Sequence, residues 1–281
     1  MFLKSLRLIA VCAAFVSSSS YAMPLNSQHA IVISDDTGQV LLEKNAGTAV
    51  PIASLTKLMT AMVVLDSKPK MNEMIDIQLV DVDVLKHSKS HVPVGTTLPR
   101  KEILRLALMS SDNRAAASLA RTYPGGNAAF LQAVNLKIKT LGMASTVIKE
   151  PTGLSPENTS SAADLAKMAV AASRYPEIAD ITTDSSDLIK MNGRQVTFRN
   201  TNRLVGSPGW DVLLSKTGFT TEAGHCLIMR IQQAGVHATL VLLNATADSS
   251  RMFDARNIKR LLATPKMRAL QSRPSNRLQI R

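Results

Sequence analysis

Cysteine is scarce in the 281-residue sequence, which contains only Cys12 and Cys226. Cys12 lies in an N-terminal segment that we expect to be removed, so the remaining chain has one cysteine and no internal disulfide. Cys226 begins an apolar run at residues 226–229, which favours a buried thiol in a strand over a reactive nucleophile. The core must therefore be stable without a covalent cross-link.

Aromatic residues are also scarce, at 4% of the chain, and the sequence has neither a Gly-rich phosphate loop nor a Cys/His finger. Nucleic-acid-binding modules depend on such features, so we expect no nucleic-acid partner despite a net charge of +12. The positive residues are spread along the chain instead of forming one block. Such an excess favours peripheral contact with anionic surfaces, including those of a cell envelope.

The sequence has no hydrophobic run of the roughly twenty residues that a membrane span needs. The N-terminal segment instead has the three parts of an export signal. Lys4 and Arg7 are followed by nine apolar residues at 8–16 and by a small-x-small cleavage site at 20–22. We expect cleavage after Ala22, giving an exported protein without a transmembrane anchor.

Internal repeats and low-complexity linkers are absent after the predicted signal peptide at 1–22, so we expect one domain at 23–263. The remaining segment, 264–281, contains five basic residues, two prolines and no acidic residue. Such a composition predicts a disordered tail.

Apolar and β-branched runs predict strands, and apolar residues at three-and-four spacing predict helices. The predicted strands are residues 29–34, 39–43, 195–199, 212–216, 226–231 and 238–244, with a hairpin turn at 35–38. One predicted helix begins near Leu55, and the others cover 101–109, 114–120, 128–141, 162–173 and 253–262. Strands at both ends with helices between them predict an α+β fold, in which helices flank an antiparallel sheet.

Ser54 and Lys57 are three residues apart at the start of the first predicted helix, so their side chains lie on one face. A lysine acts as the base for a neighbouring serine only when its amine is neutral, and burial or a nearby positive charge lowers its pKa. The apolar neighbours Ile52, Leu55 and Leu58 favour burial. Ser-x-x-Lys alone also fits an ordinary helix start.

Two further motifs carry polar groups, Ser-Asp-Asn at 111–113 and Lys-Thr-Gly at 216–218. The first follows a predicted helix and places a hydroxyl and an amide on a turn. The second ends a predicted strand and offers a cation, a hydroxyl and a glycine that leaves room for a ligand. Each motif alone fits an ordinary helix or strand end. In this order, however, the three motifs match the signature set of the penicillin-recognising serine enzymes.

The chain resembles the D-alanyl-D-alanine endopeptidases among the low-molecular-mass penicillin-binding proteins, relatives of the D-alanyl-D-alanine carboxypeptidases of peptidase family S11. The resemblance runs from about residue 30 to about residue 262, and the matching segments are 51–59, 108–116, 150–154, 216–220 and 223–227. It implies a β-lactamase/transpeptidase-like serine acyltransferase fold with a mostly helical lobe. The tail after Pro265 lies outside the resemblance.

The resemblance implies an acyl-transfer cycle on peptidoglycan stem peptides, without a cofactor or a metal. Ser54 attacks a D-alanine carbonyl to form an acyl-enzyme, Lys57 takes the serine proton, and Ser111 bridges Lys57 to the leaving nitrogen. Water then releases the acyl group.

The resemblance also implies the residues that hold the substrate, which are Asn113, Lys216, Thr217, Gly218 and Phe219. Asn113 binds the substrate amide, whereas Lys216 and Thr217 bind its carboxylate. Lys216 is also expected to lower the pKa of Lys57 by like-charge repulsion. The backbone N–H groups of Ser54 and Phe219 form the oxyanion hole.

The resemblance favours an endopeptidase, which cleaves peptidoglycan crosslinks in cell-wall remodelling, with a carboxypeptidase as the alternative. Both substrates carry a carboxylate near the leaving amine, so the Lys-Thr-Gly motif suits both. The chain ends soon after the last predicted helix, which leaves no room for the C-terminal β-domain and amphipathic anchor typical of the carboxypeptidase relatives. We expect a periplasmic location and β-lactam antibiotics as covalent inhibitors.

Three other interpretations remain. Glu150-Pro151 is similar to the glutamate motif of one β-lactamase class, although Thr152 follows where Leu-Asn is expected. A penicillin-binding scaffold without turnover is the non-enzymatic alternative. His87 and His91 have a metal-chelating spacing, but their segment contains no further ligand and is better interpreted as a solvated loop.

Overall fold

The computed structural model describes residues 24–265 and 267, and its largest sheet combines strands from the two ends of the chain. These strands are β1 (His29–Ser34), β2 (Val40–Lys44), β9 (Asp211–Thr220), β10 (Gly224–Gln233) and β11 (Val236–Ala245). Their order is β2-β1-β11-β10-β9, and every neighbouring pair is antiparallel. The predicted antiparallel sheet and the predicted hairpin between its first two strands are confirmed.

Three small two-stranded sheets lie outside this main sheet. They pair β3 (Val50–Pro51) with β6 (Thr159–Ser160), β4 (Met74–Asp76) with β5 (Thr97–Pro99), and β7 (Ser186–Met191) with β8 (Arg194–Arg199). The strand predicted at 195–199 is therefore present, but it pairs with the unpredicted β7. Asn192 and Gly193 join these two strands with φ angles of 47° and 78°, and Asn-Gly is a strong hairpin signal.

Seven helices lie in the described part of the chain. They are α1 (Thr56–Asp66), α2 (Arg100–Met109), α3 (Asn113–Arg121), α4 (Gly126–Thr140), α5 (Ala162–Ala172), α6 (Pro176–Thr183) and α7 (Asp248–Leu262). All except α6 match predicted helices within a few residues. Pro176, at the first position of α6, is a helix-start signal that the periodicity argument missed. Nine of the 11 residues of α1 are buried, so this helix forms the centre of the helical lobe.

The main sheet buries both of its faces. Ile228 and Val241 pack in a cluster with the helical lobe, whereas the neighbouring Leu227 and Leu240 pack against α7. Successive strand residues point to opposite faces, and helices cover both sides. Cys226 lies on the lobe-facing side with no exposed surface, and burial raises the pKa of its thiol to about 11. The predicted buried strand thiol is confirmed.

Two predictions fall largely outside the described residues. The predicted signal peptide at 1–22 lies entirely outside them, and so does the predicted tail at 264–281, apart from residues 264, 265 and 267. Within the described residues, no helix combines the length and the apolar character that a membrane crossing requires.

Asp254 of α7 ties the beginning of the described chain to its last helix. Its carboxylate is fully buried and accepts hydrogen bonds from the backbone N–H groups of Asn26 (3.0 Å) and Ser27 (2.7 Å). It also accepts from the Asn26 amide at 2.9 Å and the Ser27 hydroxyl at 2.8 Å. These four charge-assisted bonds have no replacement acceptor if the carboxylate is removed.

We therefore expect Asp254→Ala to lower the free energy of unfolding by about 3 kcal/mol. The exposed Asp211 provides a control, because surface substitutions change stability by about 0.5 kcal/mol or less. Urea denaturation of Asp254→Ala and Asp211→Ala gives both values. Equal effects in the two variants would contradict a stabilising role for the buried carboxylate.

Candidate active site

Ser54 lies on a short 3-10 turn, Ala53–Leu55, that leads directly into α1. Ala53 has a φ of +48°, a backbone conformation that costs energy for a residue with a side chain and is held by its surroundings. Gly153 packs against this turn so closely that a Cβ atom there would lie 1.9 Å from the Ala53 carbonyl oxygen. The turn therefore holds Ser54 in a fixed position, with its side chain half-buried.

Lys57 follows one turn later and points its amine at Ser54. Its Nζ donates to Ser54 Oγ at 2.8 Å, to Asn113 Oδ1 at 2.7 Å and to the Thr152 carbonyl oxygen at 2.7 Å. The side chain is only 1% exposed. All three donors of an ammonium group are thus used, and Ser54 receives one of them.

The pKa of Lys57 is lowered from 10.5 to about 8, and burial is the largest cause. Glu150, Asp112 and Asp83 oppose this shift, because each carboxylate favours the charged amine. Burial thus brings the proton affinity of Lys57 into the range of a general base near neutral pH. The predicted burial of this lysine is confirmed.

The Ser-Asp-Asn motif forms the junction between α2 and α3. Ser111 has a φ of +60°, and the Asp112 side chain caps α3 by accepting a hydrogen bond from the backbone N–H of Ala115 at 3.0 Å. This cap starts α3 at Asn113, whose side chain reaches Lys57. The Asn113 amide also donates to Ser88 Oγ at 2.8 Å, which fixes its orientation.

Lys216 lies within β9 and is also only 1% exposed. Its Nζ donates to Ser111 Oγ at 2.8 Å and to the Thr217 carbonyl oxygen at 3.0 Å. Burial, followed by repulsion from Lys57 and Arg251, places the pKa of Lys216 well below its ordinary value. The cleft therefore contains two buried amines, each hydrogen-bonded to a serine hydroxyl.

The structure bears on two expectations about these amines. Ser111 is hydrogen-bonded to Lys216, and Lys57 is bonded directly to Asn113; the bridge from Ser111 to Lys57 and the leaving nitrogen stays a prediction for the substrate complex. We also expected repulsion by Lys216 to lower the pKa of Lys57, but burial is the largest cause of that shift. The repulsion between the two amines instead acts on Lys216, where it lowers the pKa together with burial.

Strand β9 forms the wall of the cleft opposite α3. The Lys-Thr-Gly motif lies inside this strand, which continues to Thr220, and not at the strand end as predicted. A Cβ atom on Gly218 would lie 3.1 Å from the backbone nitrogen of Ser54, so the strand packs directly against the Ser54 turn. Phe219 is 58% exposed at the rim, where its ring stacks on His225.

The eight predicted site residues therefore lie where three parts of the chain meet, which are the start of α1, the α2–α3 junction and β9. The structure links Ser54, Lys57 and Asn113 through one set of hydrogen bonds, and Ser111 and Lys216 through another. Gly218 packs on the Ser54 turn, and Thr217 Oγ1 lies 2.6 Å from Thr201 Oγ1.

The hydrogen bonds around Lys57 orient its neutral amine to accept the proton of the Ser54 hydroxyl. A neutral amine has two N–H donors and one lone pair. Asn113 Oδ1 and the Thr152 carbonyl accept from the two N–H groups, so the lone pair faces Ser54 Oγ. In this state the Ser54 hydroxyl donates to the amine, which is the arrangement that activates a serine for attack.

Several residues near the cleft were not among the predicted site residues. Thr152 contributes its carbonyl to Lys57, Thr201 contacts Thr217, and Arg251 is a buried cation whose guanidinium donates to the Cys226 carbonyl at 2.6 Å. Only Thr152 lies in a segment that the resemblance had singled out.

Metal binding has little support in the described part of the chain. It contains no group of three or more His, Cys, Asp or Glu side chains that could hold a metal ion. His87 and His91 are exposed in an irregular segment before β5, so the predicted solvated loop is confirmed.

Comparison with known proteins gives consistent matches. The family model for D-alanyl-D-alanine carboxypeptidase, peptidase family S11, matches residues 16–247. The D-alanyl-D-alanine endopeptidase of Pseudomonas aeruginosa is 44% identical over 88% of this chain and 80% of its own length. The corresponding Escherichia coli endopeptidase is 39% identical, covering 92% of this chain and 84% of its own.

Solved structures show the same fold. The Streptomyces K15 DD-transpeptidase superposes with a TM-score of 0.79 at 27% identity, covering 85% of this chain and 97% of that one. Penicillin-binding protein D2 of Listeria monocytogenes, in its ampicillin-bound form, has a TM-score of 0.73 at 28% identity, covering 85% and 98%. The predicted transpeptidase-like α+β fold is confirmed.

Proposed function

The chain belongs to the D-alanyl-D-alanine carboxypeptidase family of serine peptidases, and we propose that it is a D-alanyl-D-alanine endopeptidase acting on peptidoglycan crosslinks. The proposed reaction runs through an acyl-enzyme on Ser54. The observation that carries this proposal is the 2.8 Å hydrogen bond between Ser54 Oγ and the buried Lys57 amine, whose pKa is lowered to about 8.

In the proposed acylation step, Ser54 Oγ attacks the carbonyl carbon of a D-alanine residue and Lys57 Nζ takes the hydroxyl proton. The negative charge that develops on the carbonyl oxygen is held by the backbone N–H groups of Ser54 and Phe219. One such donor contributes roughly 3 to 4 kcal/mol in another serine hydrolase. The close packing of Gly218 on the Ser54 turn supports this pairing of donors.

The leaving nitrogen needs a proton before it departs. Ser111 is the proposed donor, and the Lys216 amine 2.8 Å from its hydroxyl resupplies the proton. A substrate carboxylate bound by Lys216 and Thr217 favours the charged form of Lys216. Asn113 binds the substrate amide. Water then attacks the acyl carbon and gives its proton through Ser111 to Lys216, while Lys57 returns the first proton to Ser54 Oγ as the acyl bond breaks. Both amines thus regain their starting protonation states.

The preference for crosslinks rests on the relatives. The two most similar proteins described above carry the name endopeptidase, at 44% and 39% identity. Carboxypeptidase activity uses the same groups, because a terminal D-alanine also presents a carboxylate to Lys216. The substrate test below distinguishes the two activities.

A primary β-lactamase function has less support. Such a role for Glu150 requires an oxygen that is free to bind the hydrolytic water. Its Oε2 accepts from the Thr152 N–H and hydroxyl, and its Oε1 accepts from the Gly153 N–H and the Asn158 amide. The Ser155 N–H also donates to Oε1, so each oxygen has at least two donors and no free lone pair. β-Lactams are therefore proposed as covalent inhibitors, in line with the ampicillin-bound relative.

The proposed location is the periplasm. It follows from the predicted export signal and from the proposed substrate, which lies outside the cytoplasm. Without Lys4 and Arg7 of the predicted signal peptide, the net charge falls from +12 to +10, which is expected to favour peripheral contact with the anionic wall and lipid surfaces there.

Crosslinked muropeptide dimers and uncrosslinked pentapeptides test the substrate preference. We expect the wild-type protein to convert dimers into monomers, and Ser54→Ala to leave the dimers unchanged. Products are separated by chromatography and identified by mass. Unchanged dimers together with pentapeptides shortened by one alanine would assign the protein as a carboxypeptidase instead.

A further inference from the structure

Glu150 begins a loop at residues 150–155, and its side chain has no role in the proposed reaction steps. Its half-buried carboxylate accepts hydrogen bonds from the Thr152 N–H (2.7 Å), the Thr152 hydroxyl (2.5 Å) and the Gly153 N–H (2.6 Å). The Asn158 amide donates to the same carboxylate at 2.9 Å, and the Ser155 N–H donates at 3.3 Å. Hydrogen bonds to an ionised acceptor are stronger than neutral ones, so this single side chain organises the whole loop.

The loop in turn shapes the surroundings of Lys57. Between the two N–H groups that Glu150 holds, the Thr152 carbonyl points to the Lys57 amine at 2.7 Å. The neighbouring Pro151 carbonyl accepts from the Thr60 hydroxyl of α1 at 2.7 Å. Gly153 has a φ of +87° and packs on the Ser54 turn. A displacement of the loop would therefore change the positions of both the Lys57 amine and Ser54.

We propose that Glu150 is a positioning residue, which holds the Thr152 carbonyl against the Lys57 amine and thereby keeps the amine lone pair directed at Ser54. The inference rests on the proposed acylation of Ser54 and extends it to a residue that does not contact the substrate. Without the Thr152 acceptor, one N–H of the neutral amine loses its partner and the amine can rotate away from the serine hydroxyl. A misplacement of about 1 Å in such a site can cost about a hundredfold in rate.

Glu150 also has an electrostatic effect on the same amine. Its negative charge raises the pKa of Lys57 and so partly offsets the effect of burial. Removal of the charge is therefore expected to lower the pKa of Lys57 further below about 8. A purely structural residue has no such effect, which gives the proposal a signature that a general loss of stability cannot reproduce.

The test measures the second-order rate constant for acylation by a fluorescent penicillin as a function of pH. For Glu150→Gln we expect the rate at the alkaline plateau to fall about tenfold to a hundredfold, and the midpoint of the acid limb to move to lower pH. Asp83→Asn is the matched charge control, because Asp83 also raises the pKa of Lys57. It lies outside both the 150–155 loop and the Asp112 cap of α3, so its midpoint is expected to move in the same direction with a plateau loss about tenfold smaller.

Thr152→Val tests the position of the Thr152 carbonyl without changing the charge of Glu150. It removes the hydroxyl that donates to Glu150 and keeps both the Thr152 carbonyl and the Glu150 carboxylate. We expect a plateau loss of about three- to tenfold with an unchanged midpoint. If Glu150→Gln does not fold, this variant decides the question alone.

Each negative outcome has a separate meaning. A wild-type protein that is not labelled rejects the proposed function. A labelled wild-type protein with equal plateau rates in Glu150→Gln and Asp83→Asn, or with a wild-type plateau in Thr152→Val, rejects the role of Glu150 alone.

Discussion

Ser54→Ala is expected to abolish covalent labelling of the protein by a fluorescent penicillin. The variant lacks the only hydroxyl that accepts a hydrogen bond from Lys57 in the described structure. Loss of the nucleophile in a serine hydrolase costs about six orders of magnitude in rate, so labelling falls below detection. Gel fluorescence measures the loss, and mass mapping of the wild-type adduct identifies the modified peptide.

The control for this experiment is Ser111→Ala. Ser111 lies in the same cleft but is hydrogen-bonded to Lys216, so we expect this variant to be labelled more slowly but still at Ser54. Both variants should retain the wild-type melting temperature within a few degrees, because neither hydroxyl is in the core. Label retained in Ser54→Ala would exclude Ser54 as the nucleophile.

Lys57→Met is expected to reduce the acylation rate by about three to four orders of magnitude. The thioether side chain fills the buried space but cannot accept a proton, and a positioned general base contributes about 10²- to 10⁴-fold. Lys57→Arg is the matched control, since it keeps the positive charge but stays protonated at all accessible pH values. We expect it to be as inactive as Lys57→Met, which separates the need for a neutral base from the need for charge.

The wild-type pH profile tests the same residue without a substitution. Because the base acts only when neutral and its pKa is about 8, the acylation rate is expected to rise about tenfold per pH unit below this value and to level off above it. A rate that is independent of pH between about 6 and 9, or that falls as pH rises, would contradict the assignment of Lys57 as the base.

The sequence identified the residues of the candidate site, but it did not predict all of the hydrogen bonds between them. Ser54 and Lys57 could be paired because helical geometry brings residues three apart onto one face. No such local rule relates Lys216 to Ser111, which is 105 residues away, so the hydrogen bond between them was not predicted. Long-range pairing depends on how β9 packs against the α2–α3 junction, and spacing contains no information about that packing.

The contact between Thr152 and Lys57 could not be predicted from the sequence, for a different reason. It contacts Lys57 through a backbone carbonyl, and every residue type has that group. The signal that could have identified it lies in the neighbours, because Glu150 and Gly153 set the conformation of the loop. Likewise, β7 was missed because its exposed strand has only two buried residues, although the adjacent Asn-Gly turn marked the hairpin.

The pairing of β1 with β11 has a consequence for how the molecule forms. Val32 is opposite Leu240, so these two partners in one sheet are about two hundred residues apart along the chain. Contacts of such high sequence separation slow folding, because loop closure must precede the gain from pairing. A chain emerging N-terminus first cannot complete this sheet until its last strand has appeared. The molecule is thus expected to acquire its native structure late, after most of the chain has been synthesised.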